Sequence, residues 1–171
     1  MKKRTRAILS VAALIFVEAL WAAGGASSLV GTYSLDSNGR ASPAGNRITI
    51  SGGDSELHIR QISLMQGNPQ EIINHDVKCP SAGGPCQTLA HPMLGRSNIS
   101  NFACTSEREG DKFIVQIVYD MQGNGTKSQR YIYSPAPGKD LQVEYVYTEI
   151  NPATTRTVID NRGRGQIMKR E

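Results

Sequence analysis

The sequence predicts an all-β chain, a single antiparallel up-and-down β-barrel with a β-sandwich as the alternative, and three observations carry the prediction. Apolar residues recur at every second position across many short runs. No stretch keeps a 3.6-residue period over three turns, which leaves no amphipathic helix to cover a sheet. Turn signals separate the runs at Gly52-Gly53-Asp54, Gly67-Asn68-Pro69, Glu109-Gly110-Asp111, Gly123-Asn124-Gly125, Pro135-Ala136-Pro137-Gly138 and Asn161-Arg162-Gly163. Roughly eight to ten short, evenly spaced strands joined by hairpins suit a barrel, and closure removes the exposed edges such strands would otherwise present.

The first twenty-six residues stand apart from this pattern. Lys2, Lys3, Arg4 and Arg6 precede an apolar run from Ala7 to Ala23, and Gly24-Gly25-Ala26 follows. A basic, then apolar, then small-residue order is that of a secretory signal, with the cut expected after Ala26 and one domain over 27–171. Retained as an anchor, the segment would place the Glu18 carboxylate in the bilayer, which is costly, so contact with a membrane is expected only if the leader stays uncleaved. The expected location is therefore periplasmic or secreted. The leader also carries most of the charge: four cations against Glu18 make +3, leaving +1 of the chain's +4 for the remainder. So small an excess excludes the concentrated basic footprint of a nucleic-acid-binding protein. Trp21, the one tryptophan, lies in the leader as well.

Strands are expected near Leu29 to Leu35, Arg47 to Ile50, Leu57 to Leu64, Glu71 to Lys78, Ile99 to Thr105, Lys127 to Tyr133, Thr155 to Asp160 and Gly165 to Lys169. Between them, Phe113, Val115, Ile117 and Tyr119 form one face of a further strand, and Leu141, Val143, Tyr145 and Tyr147 repeat the design. From Phe113 onward the chain reads as a meander of hairpins. Cys79 to Ser97, rich in Pro, Gly and Ser, reads as a loop.

The opening Leu29-Val30-Gly31-Thr32-Tyr33-Ser34-Leu35-Asp36, with Arg47-Ile48-Thr49-Ile50 after a Ser-Pro loop, resembles the first strands of small exported bacterial lipocalin-like domains. Tyr33 stands where lipocalins proper have tryptophan. The resemblance implies a small barrel with a possible apolar cavity and carries over no catalytic residue.

Chemistry-bearing constellations are few. Cys79 and Cys86 flank Pro80-Ser81-Ala82-Gly83-Gly84-Pro85, and in an oxidising compartment that spacing reads first as a disulfide-closed loop. A bridge from Cys104 to either one stays open, since connectivity does not follow from spacing. His75, Asp76, Cys79, Cys86 and His91 are acceptable zinc ligand types, but their spacing matches no common module and the disulfide consumes the thiols, so no metal and no cofactor is expected. His58, with no nucleophile placed beside it, reads as a solvated or partner-facing side chain. No Gly-x-Ser-x-Gly elbow, His-Glu-x-x-His helix or phosphate-binding glycine loop is present, and Glu107, Glu109, Asp111 and Asp120 sit at strand ends where solvated acids are ordinary, so no catalytic residue is named. Tyr131, Tyr133, Tyr145 and Tyr147 fall on neighbouring strands at period two; with Tyr33 and Phe113 they are the residues expected to line a cavity, against the simpler reading of cross-strand packing. The expected function is non-enzymatic binding of a small apolar or amphipathic ligand. The alternative is an envelope interaction module, or an inhibitor of a secreted hydrolase, acting through the Cys79–Cys86 loop.

Overall fold

A computed structural model describes residues 26–35, 45–64, 70–151, 156–160 and 165–171. Residues 1–25 of the expected leader lie outside them. The described chain is all-β, a nearly closed barrel of antiparallel strands with two short 3₁₀ turns, Ala26–Leu29 and Pro137–Lys139. Its strands are β1 (Gly31–Leu35), β2 (Gly45–Gly52), β3 (Glu56–Leu64), β4 (Glu71–Pro80), β5 (Gly84–Pro85), β6 (Gln87–Ala90), β7 (Ile99–Glu109), β8 (Lys112–Met121), β9 (Gly125–Pro135), β10 (Leu141–Asn151), β11 (Arg156–Asp160) and β12 (Gln166–Arg170). They lie in the order β5-β7-β8-β9-β10-β12-β1-β2-β3-β4-β6, with β11 paired to β10. Most neighbours in space are neighbours in sequence, as hairpin meanders require.

Alternation decides which side chains fill the barrel. On β8 the residues Phe113, Val115, Ile117 and Tyr119 are all buried, while Gln116 between them is exposed. The same period places Ile48 and Ile50 of β2, Leu57 and Ile59 of β3, Val77 and Cys79 of β4, Tyr131 and Tyr133 of β9, and Leu141 and Val143 of β10 in the core. The tight β2–β3 turn needs glycine at 52. Its φ is +114°, and a Cβ there would meet the Glu56 carbonyl oxygen at 2.2 Å. Leu29 belongs to the first 3₁₀ turn rather than to a strand, and it is fully buried against one end of the barrel, where its carbonyl accepts the Tyr33 hydroxyl at 3.0 Å.

The segment from Cys79 to Ser97 corrects the loop expectation, because β5 and β6 lie inside it. They are the two ends of the sheet path, and only Cys86 separates them in sequence. β5 pairs with β7 through Gly84–Ser106 and Pro85–Thr105, and β6 pairs with β4 through Val77–Thr88 and Lys78–Gln87. One continuous piece of chain therefore spans the seam. The Cys86 amide donates to the Cys104 carbonyl at 2.9 Å on the β7 side, and Cys86 is disulfide-bonded to Cys79 on the β4 side. Such a bridge fits a compartment outside the reducing cytosol. Replacing both bridged cysteines by alanine is expected to lower the unfolding free energy by about 2.5 kcal/mol, the loop-entropy value for a closed loop of about eight residues. Urea denaturation measures it; an unchanged midpoint would show that strand pairing alone holds the seam.

Candidate functional site

At the end of the barrel opposite Leu29 the inward side chains change from apolar to polar. Following β2 from Ile50 through Ile48 leads to Asn46, and following β3 from Leu57 through Ile59 leads to Gln61 and Ser63. A bulge in the β3–β4 pairing, where Gln61 faces His75 and Ile62 faces Ile73, leaves Asn74 as the extra residue. Bulges re-aim side chains in this way, and Asn74 lines the cavity. Gln129 of β9 and Gln166 of β12 complete a ring of five amide side chains.

These amides rim a cavity of about 530 Å³. Tyr131, Val143 and Tyr145 supply its aromatic and aliphatic wall, and His91-Pro92-Met93, just after β6, forms one side. Tyr131 and Tyr145 face each other in the β9–β10 register with ring centroids 4.9 Å apart. None of the lining side chains is an acid, a lysine or an arginine.

Hydrogen bonds fix several of these groups. The Met93 amide donates to His91 Nδ1 at 3.1 Å, so that nitrogen is an acceptor and the proton sits on Nε2, which donates to Gln129 Oε1 at 3.2 Å. Gln129 Oε1 also accepts the Tyr131 hydroxyl at 3.0 Å. Burial lowers the His91 pKa, partly opposed by the Gln129 hydrogen bond, which keeps the ring neutral near pH 7. On the far side Asn74 Nδ2 donates to Ser63 Oγ at 2.9 Å, and Ser63 donates onward to Asn46 Oδ1 at 2.8 Å.

Beneath this layer sits His75, fully buried. Its Nε2 is 2.8 Å from the Tyr133 hydroxyl, and its ring centroid is 4.3 Å from that of Tyr131. Burial, with a smaller contribution from His91, lowers its pKa to about 3. His75 Nδ1 and Gln61 Oε1 are buried polar atoms without a hydrogen-bond partner among the described residues. Each such group costs about 1–3 kcal/mol until something pairs with it.

No family model, curated protein or solved structure matches the chain.

Of the six residues expected to line a cavity, the structure brings Tyr131 and Tyr145 to it. Tyr33, Phe113 and Tyr133 are fully buried in the core below. Tyr147 is half-buried and donates its hydroxyl to Glu149 Oε2 at 3.2 Å, beside the ion pair that Glu149 makes with the buried Lys127. The five amides escape sequence reading, because Asn and Gln at alternating positions look like solvated strand faces. Asn46 and Gln61 do carry a signal: each continues the inward parity of an apolar series. His58 pairs with Asp76, Nε2 to Oδ1 at 2.6 Å, with Arg60 Nε 3.8 Å from the other carboxylate oxygen. Asp120 accepts hydrogen bonds from Thr126 and Asn101. Both carboxylates are thus committed to side chains on adjacent strands, Asp76 to β3 and Asp120 to β7 and β9.

Proposed function

We propose that the chain is an exported, non-enzymatic, lipocalin-like binding protein that holds a small, uncharged amphipathic molecule in the polar end of its barrel. The observation that carries this reading is the cavity of about 530 Å³ with five amides at its rim and no charged side chain in its lining. That volume lies in the range of small-molecule sites. Amides offer both donors and acceptors, so they suit hydroxyl, ester or amide groups, while Tyr131, Tyr145, Val143 and Met93 offer apolar surface beside them. A carboxylate or ammonium entering the same space would lose hydration without gaining a counter-ion.

The Cys79–Cys86 loop has less to offer a partner. The Ser81 amide donates to the Ser55 carbonyl at 3.1 Å, the Gly83 amide to the Pro80 carbonyl at 3.0 Å, and the Cys86 amide to Cys104. These groups are already paired within the protein, which supports the cavity over the loop as the binding surface.

Isothermal titration with 1-monooctanoylglycerol and with octanoate tests the proposal, because the two share a chain and differ in the head. Saturable one-to-one binding of the glyceride is expected, with the carboxylate at least tenfold weaker, or about 1.4 kcal/mol. Val143→Trp, which fills the cavity, is expected to abolish the heat while leaving the far-ultraviolet dichroism unchanged. Equal affinity for both probes, or binding that survives Val143→Trp, would overturn it.

A further inference from the structure

Three sulfurs meet where the barrel closes. Cys79 Sγ, Cys86 Sγ and Cys104 Sγ all lie within 4.8 Å of one another, although β4 and β7, which carry Cys79 and Cys104, lie toward opposite ends of the sheet path. Cys79 is held on β4 opposite Leu57, and Cys104 is held on β7 opposite Ile117. Cys86 continues the β5–β7 register, which places it directly across from Cys104, and its amide hydrogen bond to the Cys104 carbonyl confirms the pairing. Each backbone position is thus set by strand pairing as well as by the Cys79–Cys86 bridge. Reduction of the bridge leaves three thiols converging on one point.

We infer that the reduced Cys79, Cys86 and Cys104 cluster is a three-sulfur binding site for a trivalent thiophilic metalloid, arsenic(III) being the simplest.

Geometry and charge select that class. Three sulfurs each about 2.3 Å from a shared centre, a typical metal–thiolate distance, stand no more than about 4 Å apart, a separation within the spacing found here. Structural zinc takes four ligands, and among the described residues these three cysteines form the only such group of His, Cys, Asp or Glu. Copper(I) on three thiolates would leave two net negative charges. Cys79 is fully buried and Cys104 nearly so, and uncompensated charge in such a place is expensive. Arsenic(III) on three thiolates is neutral.

The steps balance. A dithiol reductant gives two electrons and two protons to the Cys79–Cys86 bridge and becomes a disulfide itself. Arsenous acid then exchanges its three hydroxyls for three sulfurs. Each S–H proton leaves with a hydroxyl as water, and no electrons move.

Native mass spectrometry of the full chain with sodium arsenite tests this, after reduction by a phosphine that is then removed. Reduced protein is expected to carry one arsenic, with a mass gain equal to arsenic less three hydrogens, and bridged protein is expected to carry none. Cys104→Ser and Cys104→Ala are each expected to weaken binding at least tenfold and to lose two hydrogens instead of three, the arsenic keeping one hydroxyl. An adduct lacking only two hydrogens in the wild type, unchanged affinity in either variant, or no adduct on a chain with three free thiols and native dichroism would overturn the inference.

Discussion

Acidification from pH 7 to pH 4 is expected to cost the fold about 3 kcal/mol through His75 alone, the value set by a slope of about 1.4 kcal/mol per pH unit. In the unfolded chain this imidazole takes a proton near its ordinary pKa of 6.5, whereas in the barrel it stays neutral down to about pH 3. Between those values the unfolded state binds a proton that the native state refuses. The stability His75 permits is therefore complete above about pH 6.5 and falls as the pH drops toward 3. His91, also lowered by burial, acts in the same direction. Asp120, Asp140 and Glu149 have lowered pKa values through hydrogen bonds from Thr126, Lys169 and Lys127, so they too lose stabilisation in acid, at the low end of the range.

The histidine contribution separates from theirs in a double variant, His75→Phe with Tyr133→Phe. Removing both partners of the buried hydrogen bond avoids stranding either one. Urea unfolding followed at pH 7, 6, 5 and 4 is expected to give a shallower pH dependence for the double variant, by about 1.4 kcal/mol per unit below pH 6. Parallel curves would mean that His75 is not a buried neutral base.

Truncation of Phe113 to alanine is the other large effect, an expected loss of about 3–5 kcal/mol. The ring is fully buried on the inward face of β8 and stands opposite Tyr133 in the β8–β9 register. Strand backbones on both sides are paired, so they cannot collapse into the space the ring leaves. Gln116→Ala on the opposite face is expected to change stability by no more than about 0.5 kcal/mol, since the side chain is exposed and its hydrogen bond is to Ser128 Oγ at 3.2 Å on the solvent face. Chemical denaturation of both variants reads the inside–outside alternation directly. Comparable losses would show that β8 does not turn one face inward.

Alternation made most strands legible because burial on one face is a property of each strand by itself. Phe113, Val115, Ile117 and Tyr119 carry it in four residues. The seam was not legible for the opposite reason. β5 is a Gly-Pro pair and β6 is four residues long, so neither has enough positions to show a period, and their turn-forming neighbours dominate the segment. The disulfide between Cys79 and Cys86 was readable as the simplest pairing, whereas the approach of Cys104 depended on where the sheet's ends meet. The candidate site falls between these cases. Tyr131 and Tyr145 were visible through period two on adjacent strands. Asn74 lines the cavity only because it is the bulged residue of β4, and His91 only because the seam strand delivers its loop there.

The side-chain amide protons of Asn46, Gln61, Asn74, Gln129 and Gln166 give the most direct reading of the central claim. In a nitrogen–proton correlation spectrum recorded during titration with 1-monooctanoylglycerol, these five pairs of signals are expected to shift together and saturate, with the Tyr131 and Tyr145 backbone amides, while the backbone amides of exposed Ile72 and Leu89 stay still. Saturation of the surface signals with the amide ring unmoved would contradict a binding site inside the barrel.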